Sequence, residues 1–178
     1  MQILLKIEVE ILFFILHNMH NTIMDNFMVF FTTLGNKGLV YIVISLLLIL
    51  NRKYRKIGIM VLVALILAAI LGEGILKPIF QRPRPFINYP NVNLLIDIPP
   101  SYSFPSGHAI TSFAVAGILA NEFKNIKVII YGLAILMAFS RLYLFVHYPT
   151  DVIVGATLGM MCSMFVIFLF KKCMKLVI

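Results

Sequence analysis

Three short clusters of polar residues stand out in a chain that is otherwise strongly apolar. The first is Lys77-Pro-Ile-Phe-Gln-Arg-Pro-Arg84-Pro85, and the second is Pro105-Ser-Gly-His108. The third begins with Ser140-Arg141 and continues to His147 and Asp151. Lys77, Arg84 and Arg141 are three cations with few acids near them in sequence, which suits a multivalent anion. Arginine offers a planar fork to phosphate oxygens, and lysine offers a point charge. Ser106 and Gly107 open a helix, so their backbone N–H groups are expected to point at the same anion. Glycine also lets the backbone approach closely. Phosphoryl transfer then needs a nucleophile and a proton donor for the leaving oxygen. A histidine held by a carboxylate is a good nucleophile, because the acid fixes its tautomer and supports the developing positive charge. His147 with Asp151 fits that pairing, which leaves His108 as the general acid. The pattern is a phosphate cradle with no obvious metal site, and neither metal nor cofactor is expected.

The rest of the chain must position these groups. It has 178 residues, which favours one domain, residues 1–178. Hydrophobic residues make up 61% and charged residues 12%, with a mean hydropathy of +1.00. Soluble domains carry about 25% charged residues, so this chain reads as an all-α, polytopic membrane helix bundle. Five spans are expected: Leu39–Leu50 extended back towards Leu34, Ile57–Leu76, Ser106–Phe123, Ile126–Phe145 and Val152–Phe170. Each has or approaches the roughly 20 residues a crossing needs. Ile3–Leu16 is broken by Lys6, Glu8 and Glu10, and is either a short first span or an interfacial amphipathic helix. That gives about six helices. Thr22–Leu34 reads as re-entrant or interfacial.

The net charge of +8 does not imply nucleic acid. Nine of the fifteen basic residues lie at the ends of apolar runs: Arg52, Lys53, Arg55, Lys56; Lys124, Lys127; and Lys171, Lys172, Lys175. The spans put these segments on one side, which the positive-inside bias makes cytoplasmic. The polar clusters then share the extracytoplasmic face of a cell membrane. Ionisable groups beside membrane spans are costly, and their default reading is functional.

These clusters, in this order, resemble the type-2 phosphatidic acid phosphatase family of integral membrane lipid phosphatases. The family pattern is Lys-x6-Arg-Pro, then Pro-Ser-Gly-His, then Ser-Arg-x5-His-x3-Asp. Lys77, Arg84, Pro85, Pro105, Ser106, Gly107, His108, Ser140, Arg141, His147 and Asp151 meet every defined position. The resemblance implies that His147 attacks phosphorus to form a phosphohistidine, that Asp151 orients His147, and that His108 protonates the leaving group and then activates water. It implies that Lys77, Arg84, Ser106, Gly107 and Arg141 hold the phosphoryl oxygens. The implied substrate is a lipid phosphate or diphosphate, with undecaprenyl diphosphate as the leading case. Phosphatidylglycerophosphate, phosphatidate and lipid A phosphate are competitors. A lipid phosphotransferase and a non-enzymatic transporter are the other readings, and no obligate protein partner is evident.

Several residues admit blander roles. Arg82 lies at the wrong distance from Lys77 for the motif, and contacts either substrate or lipid headgroups. Glu73, four residues before Lys77, reads as a buried ion-pair partner. Gly155 and Gly159 form a small-residue step for close helix packing. Tyr143 and Tyr148 read as interfacial aromatics. The Phe86–Phe104 loop, with Leu94, Leu95, Ile96 and Ile98, is expected to lie over the pocket.

Overall fold

The computed structural model describes residues 2–175, and all regular structure among them is helical. The α-helices are α1 (Gln2–Met19), α2 (Thr22–Leu34), α3 (Leu39–Leu50), α4 (Arg55–Ala69), α5 (Lys77–Phe80), α6 (Pro85–Asn88), α7 (Gly107–Glu122), α8 (Lys127–Tyr143) and α9 (Pro149–Lys175). A π-helical segment, Ile70–Leu76, joins α4 to α5.

The centre of the bundle is α7, which packs against α4, α8 and α9. Its buried face is small and apolar: Ala109, Ile110, Ala114, Val115, Ala116 and Ile118. Val61, Ala64 and Ala68 of α4 and Cys162 and Val166 of α9 complete this core. Small residues matter here because apolar lipid gives helices little hydrophobic reason to associate, so close backbone packing must do it. The Gly155–Gly159 step acts in this way. A Cβ on Gly155 would lie 2.8 Å from the Ser106 carbonyl, and one on Gly159 would lie 2.3 Å from the Ile110 carbonyl. Outward faces carry large apolar residues, including Leu47, Ile66, Ile129, Leu133, Phe165 and Phe168.

The spans differ in part from the five expected. Among the described residues, three helical stretches are long and apolar enough to cross: Arg55–Asn88, Lys124–Tyr143 and Pro149–Lys172. Thr22–Leu34 with Asn36–Leu50 makes a fourth only as a pair bent by 44°. The bend has a local cause. Lys37 and Gly38 adopt left-handed φ values of 52° and 68°, which interrupt the helix after Gly35. The α7 helix has 16 residues, or about 24 Å. It starts at the Pro105–His108 cluster and is shorter than the roughly 20 residues a full crossing needs. The α1 helix lies on one end of the bundle. Its Leu12 packs on Phe145 and Tyr148, and its Ile15 on Tyr143 and Leu144. Ile3, Leu4, Ile7, Ile11 and Phe14 remain exposed, as on a helix resting in an interface.

Helix direction sorts the charges. The α4 helix starts at Arg55 and leads to Lys77; α7 starts beside His108 and ends near Lys124. The α8 helix runs from Lys127 to Arg141, and α9 runs from Asp151 towards Lys171 and Lys172. The basic segments thus sit at the bundle end opposite the three polar clusters. The Lys175 side chain lies outside the described residues.

Candidate active site

The π-helical segment sets the first wall. Its wider winding lets the Lys77 N–H donate to the Gly72 carbonyl, five residues back. Lys77 Nζ then donates to Glu73 Oε1 at 2.6 Å and to Ser101 Oγ at 2.9 Å. Lys77 is buried, but the Glu73 side chain is 52% exposed, so it is not the buried partner expected. Glu73 instead faces the cavity, where a Cβ on Gly107 would meet its Oε1 at 2.8 Å.

Gln81, at a left-handed φ of 45°, ends α5 and turns the chain. Arg84 precedes α6 and is buried. Its Nε donates to the Ser101 carbonyl at 2.7 Å and its Nη1 to the Val146 carbonyl at 2.9 Å. Nη1 also lies 3.2 Å from His147 Nε2. Arg141, in the last turn of α8, donates from Nη1 to Thr32 Oγ1. Its Nε is buried without a hydrogen-bond partner, and the residue lines the cavity described below.

His147 and Asp151 flank the start of α9. Phe145, at φ 57°, turns the chain out of α8, and Pro149 opens α9, where a missing N–H costs nothing. Asp151 Oδ2 accepts from Ser103 Oγ at 2.5 Å and from the Tyr148 N–H at 2.9 Å. It lies 3.5 Å from His147 Nδ1. An Nδ1–H facing the carboxylate leaves the Nε2 lone pair towards Arg84 and the cavity. Burial lowers the His147 pKa to about 3; Asp151 opposes the shift, and Arg84 and Arg141 add to it. The imidazole is therefore neutral across the physiological range, as a nucleophile must be.

Lys77, Arg84, Gly107, His108, Arg141 and His147 line one cavity of about 920 Å³. Its lining also includes apolar side chains, Val29, Ala68, Leu95, Ile96 and Ile98. The loop expected over the pocket therefore does line it, while Leu94 packs with Tyr143 and Phe145 instead. Asp151 stands behind His147. Ser106 departs from expectation: it is fully buried and does not line the cavity. Its N–H is taken by the Asp151 carbonyl at 3.0 Å, and its hydroxyl has no partner. The backbone N–H groups without an intrahelical partner at this helix start include those of Gly107 and His108, both of which line the cavity.

Other residues were not legible in the motifs. Arg82 touches neither the cavity nor an exposed headgroup position. Its Nη1 donates to Asp151 Oδ1 and its Nη2 to Glu8 Oε2, each at 2.6 Å. Ser101, Ser103, Thr32 and Asn36 all hold site residues, the last through its Oδ1, 3.2 Å from His108 Nε2. Tyr143 and Tyr148 are buried and not interfacial. The Tyr143 hydroxyl donates to Asp25 Oδ1 at 2.6 Å, and Asn88 donates to the Tyr148 hydroxyl at 3.1 Å. No spacing rule marks these residues, because their partners lie far away in sequence.

The fold and site define a helical membrane protein with a cavity lined by Lys77, Arg84, His108, Arg141 and His147, the last of them beside Asp151. Residues 57–175 match the PAP2 superfamily, and the chain belongs to that family. It is 36% identical over 138 residues to an undecaprenyl-diphosphatase of Sulfolobus acidocaldarius, covering 76% of this chain and 66% of that protein. The chain spans about two thirds or less of the length of the first curated relatives that it matches. The crystal structure of Aquifex aeolicus LpxE aligns with a TM-score of 0.78 at 34% identity, covering 89% of this chain and 93% of that one. A PAP2-type phosphatidylglycerolphosphate phosphatase from Bacillus subtilis aligns with a TM-score of 0.80 at 26% identity, covering 97% and 88%.

Proposed function

We propose that residues 1–178 act as one membrane phosphatase domain that hydrolyses a lipid diphosphate at the extracytoplasmic face. The single observation that carries this reading is the cavity. Three buried cations, His108 and His147 line it together with apolar residues that include Leu95, Ile96 and Ile98. That combination suits a phosphate head on an apolar tail.

In the first step the His147 Nε2 lone pair forms a bond to phosphorus, and the bond from phosphorus to the leaving oxygen breaks. His108 gives that oxygen a proton. In the second step water attacks the phosphohistidine, His108 takes a proton from the water, and the P–N bond breaks to release phosphate. Lys77, Arg84, Arg141 and the Gly107 N–H stabilise the charge on the phosphoryl oxygens throughout. No step calls on a metal ion or cofactor.

The undecaprenyl-diphosphatase relative supports undecaprenyl diphosphate as the substrate and undecaprenyl phosphate as the product. Lys37 adds a physical reason. It lines the same cavity next to Asn36, which contacts His108, the donor to the leaving group. A cation there suits a leaving group that itself carries phosphate.

The test is phosphate release by the purified protein in detergent with EDTA present. Undecaprenyl diphosphate is compared with phosphatidylglycerophosphate and phosphatidate, alongside His147→Ala. Release that withstands EDTA, is fastest with the diphosphate and is lost in His147→Ala is expected. Equal release by His147→Ala would sink the mechanism, and preference for a monophosphate would sink the substrate assignment.

A further inference from the structure

Asp151 is held on every side. Ser103, the Tyr148 N–H and His147 approach Oδ2, and Arg82 donates to Oδ1 at 2.6 Å. Arg82 is shared. Its other terminal nitrogen donates to Glu8 Oε2 at 2.6 Å, and its guanidinium carbon lies 4.0 Å from the centre of the Tyr148 ring. Glu8 is only 3% exposed. Its Oε1 accepts from the Thr150 N–H at 3.0 Å and from the Thr150 hydroxyl. A chain of contacts thus runs from Glu8 on α1 through Arg82 to Asp151 and His147.

We propose that Glu8 is a positioning residue for the His147–Asp151 pair, acting through Arg82 to keep the Asp151 carboxylate both fixed and electrically effective. This rests on the phosphohistidine reading above. Arg82 by itself would fix Asp151 and also cancel its charge. Asp151 is needed as an anion at the moment His147 takes the phosphoryl group and its ring becomes positive. Glu8 engages the other half of the guanidinium. Two carboxylates around one guanidinium leave a net charge of −1 beside the imidazole. Both carboxylates are buried and Arg82 is partly so, which leaves solvent and salt less able to screen this field.

The arrangement makes a prediction of sign. With Arg82 present, Glu8→Gln leaves Arg82 fully committed to Asp151 and weakens support for the charged ring. With Arg82 absent, Glu8 is an unpaired buried carboxylate close to Asp151, so removing it is neutral or helpful. The experiment measures kcat and KM for the lipid diphosphate with wild type, Glu8→Gln, Arg82→Gln, the double variant and His147→Ala. In the wild-type background Glu8→Gln is expected to lower kcat about ten- to hundredfold, the scale for weakening one or two charge-assisted hydrogen bonds. KM is expected to stay within about twofold, because Glu8 does not line the cavity. Glu8→Asp, which keeps the charge, is expected to recover part of the loss. In the Arg82→Gln background Glu8→Gln is expected to leave kcat unchanged or raise it.

An equal cost of Glu8→Gln in both backgrounds would overturn the proposal, because it would mean that Glu8 only anchors α1 to Thr150. If Glu8→Gln does not fold, Arg82→Lys is read in its place. It keeps the charge but lacks the fork that spans two carboxylates, so lowered kcat at constant KM supports the proposal and unchanged kcat overturns it. Activity that depends on His147 but ignores Glu8→Gln overturns this inference alone. Activity that does not need His147 overturns the phosphohistidine reading itself.

Discussion

The helices that carry His108 and Asp151 meet at Gly159, and substituting that glycine separates packing from every other effect. In Gly159→Ala the new Cβ would lie 2.3 Å from the Ile110 carbonyl, 2.9 Å from the Ala114 nitrogen and 2.9 Å from Phe113 Cβ. Two of these are backbone atoms of α7 and cannot rotate away. A comfortable carbon–oxygen contact is about 3.3–3.6 Å, so α7 and α9 must part by about 1 Å. Gly132 on α8 is the control, since a Cβ there meets nothing within 4 Å. Both substitutions gain the same helix propensity, about 1 kcal/mol, so their difference isolates the overpacking, about 1–3 kcal/mol. Thermal unfolding in detergent should rank Gly132→Ala above Gly159→Ala by that amount. The displacement also moves His108 relative to His147, and about 1 Å of misplacement can cost roughly 10²-fold in rate. Phosphate release should therefore fall in Gly159→Ala and hold in Gly132→Ala. Equal stability and equal activity of the two variants would refute the close α7–α9 contact and, with it, the account of how the site is held.

Ser103→Ala removes one charge-assisted hydrogen bond to Asp151; at about 1.5–3 kcal/mol, kcat should drop roughly ten- to hundredfold with little change in KM, and unchanged kinetics would count against Ser103 as an orienting group. Because the folded pKa of His147 is depressed to about 3 below the ordinary value of about 6.5, its contribution to stability is complete above about pH 6.5 and is lost as pH falls towards 3, by about 1.4 kcal/mol per unit. Thermal unfolding of His147→Asn should lack that portion of the acid sensitivity, and an unaltered pH profile would contradict the buried neutral imidazole. Lys37→Ala should reduce the preference for a diphosphate over a monophosphate by roughly fivefold, about 1 kcal/mol for a partly exposed ion pair; an equal effect on both substrates would place Lys37 away from the leaving phosphate.

What the sequence disclosed follows from the kind of constraint involved. The gathering of Lys77, Arg84, His108, Arg141 and His147 around one cavity was legible because the motifs restrict residue type, and helix ends restrict where the residues occur. The helical class followed from long apolar runs, and the basic ends from charge counting. Ser106 was misread in one respect: a helix start advertises free N–H groups, but only tertiary structure shows that the Asp151 carbonyl takes this one. Glu8 and Arg82 lie 74 residues apart, and Thr32 and Arg141 lie 109 apart. No local period links such pairs. Arg82 looked like a displaced copy of the motif arginine, when its role depends on where Asp151 ends up. The α7 helix, Gly107–Glu122, matches the expected Ser106–Phe123 to one residue at each end, with Ser106 and Phe123 as its caps.

The two arginines of Arg82-Pro83-Arg84 divide the work of the site between its front and its back. In an extended segment, residues two apart share a face, and both side chains do reach the same histidine–carboxylate pair. Arg84 meets the imidazole at Nε2, where phosphorus would bind, and Arg82 meets the carboxylate at Oδ1. The charges balance separately on the two sides. At the front stand Lys37, Lys77, Arg84 and Arg141 against Glu73 and Asp97, a net charge of +2. At the back stands Arg82 against Asp151 and Glu8, a net charge of −1. The front matches a phosphoryl dianion, and the back matches the single positive charge of a phosphorylated imidazole. A site of three cations alone would bind phosphate and hold it. One with a separate anionic rear can also stabilise the charge that would develop on His147 in the proposed transfer. The two functions need not be altered together, so substitutions at the front should act on both KM and kcat, and those at the back on kcat alone.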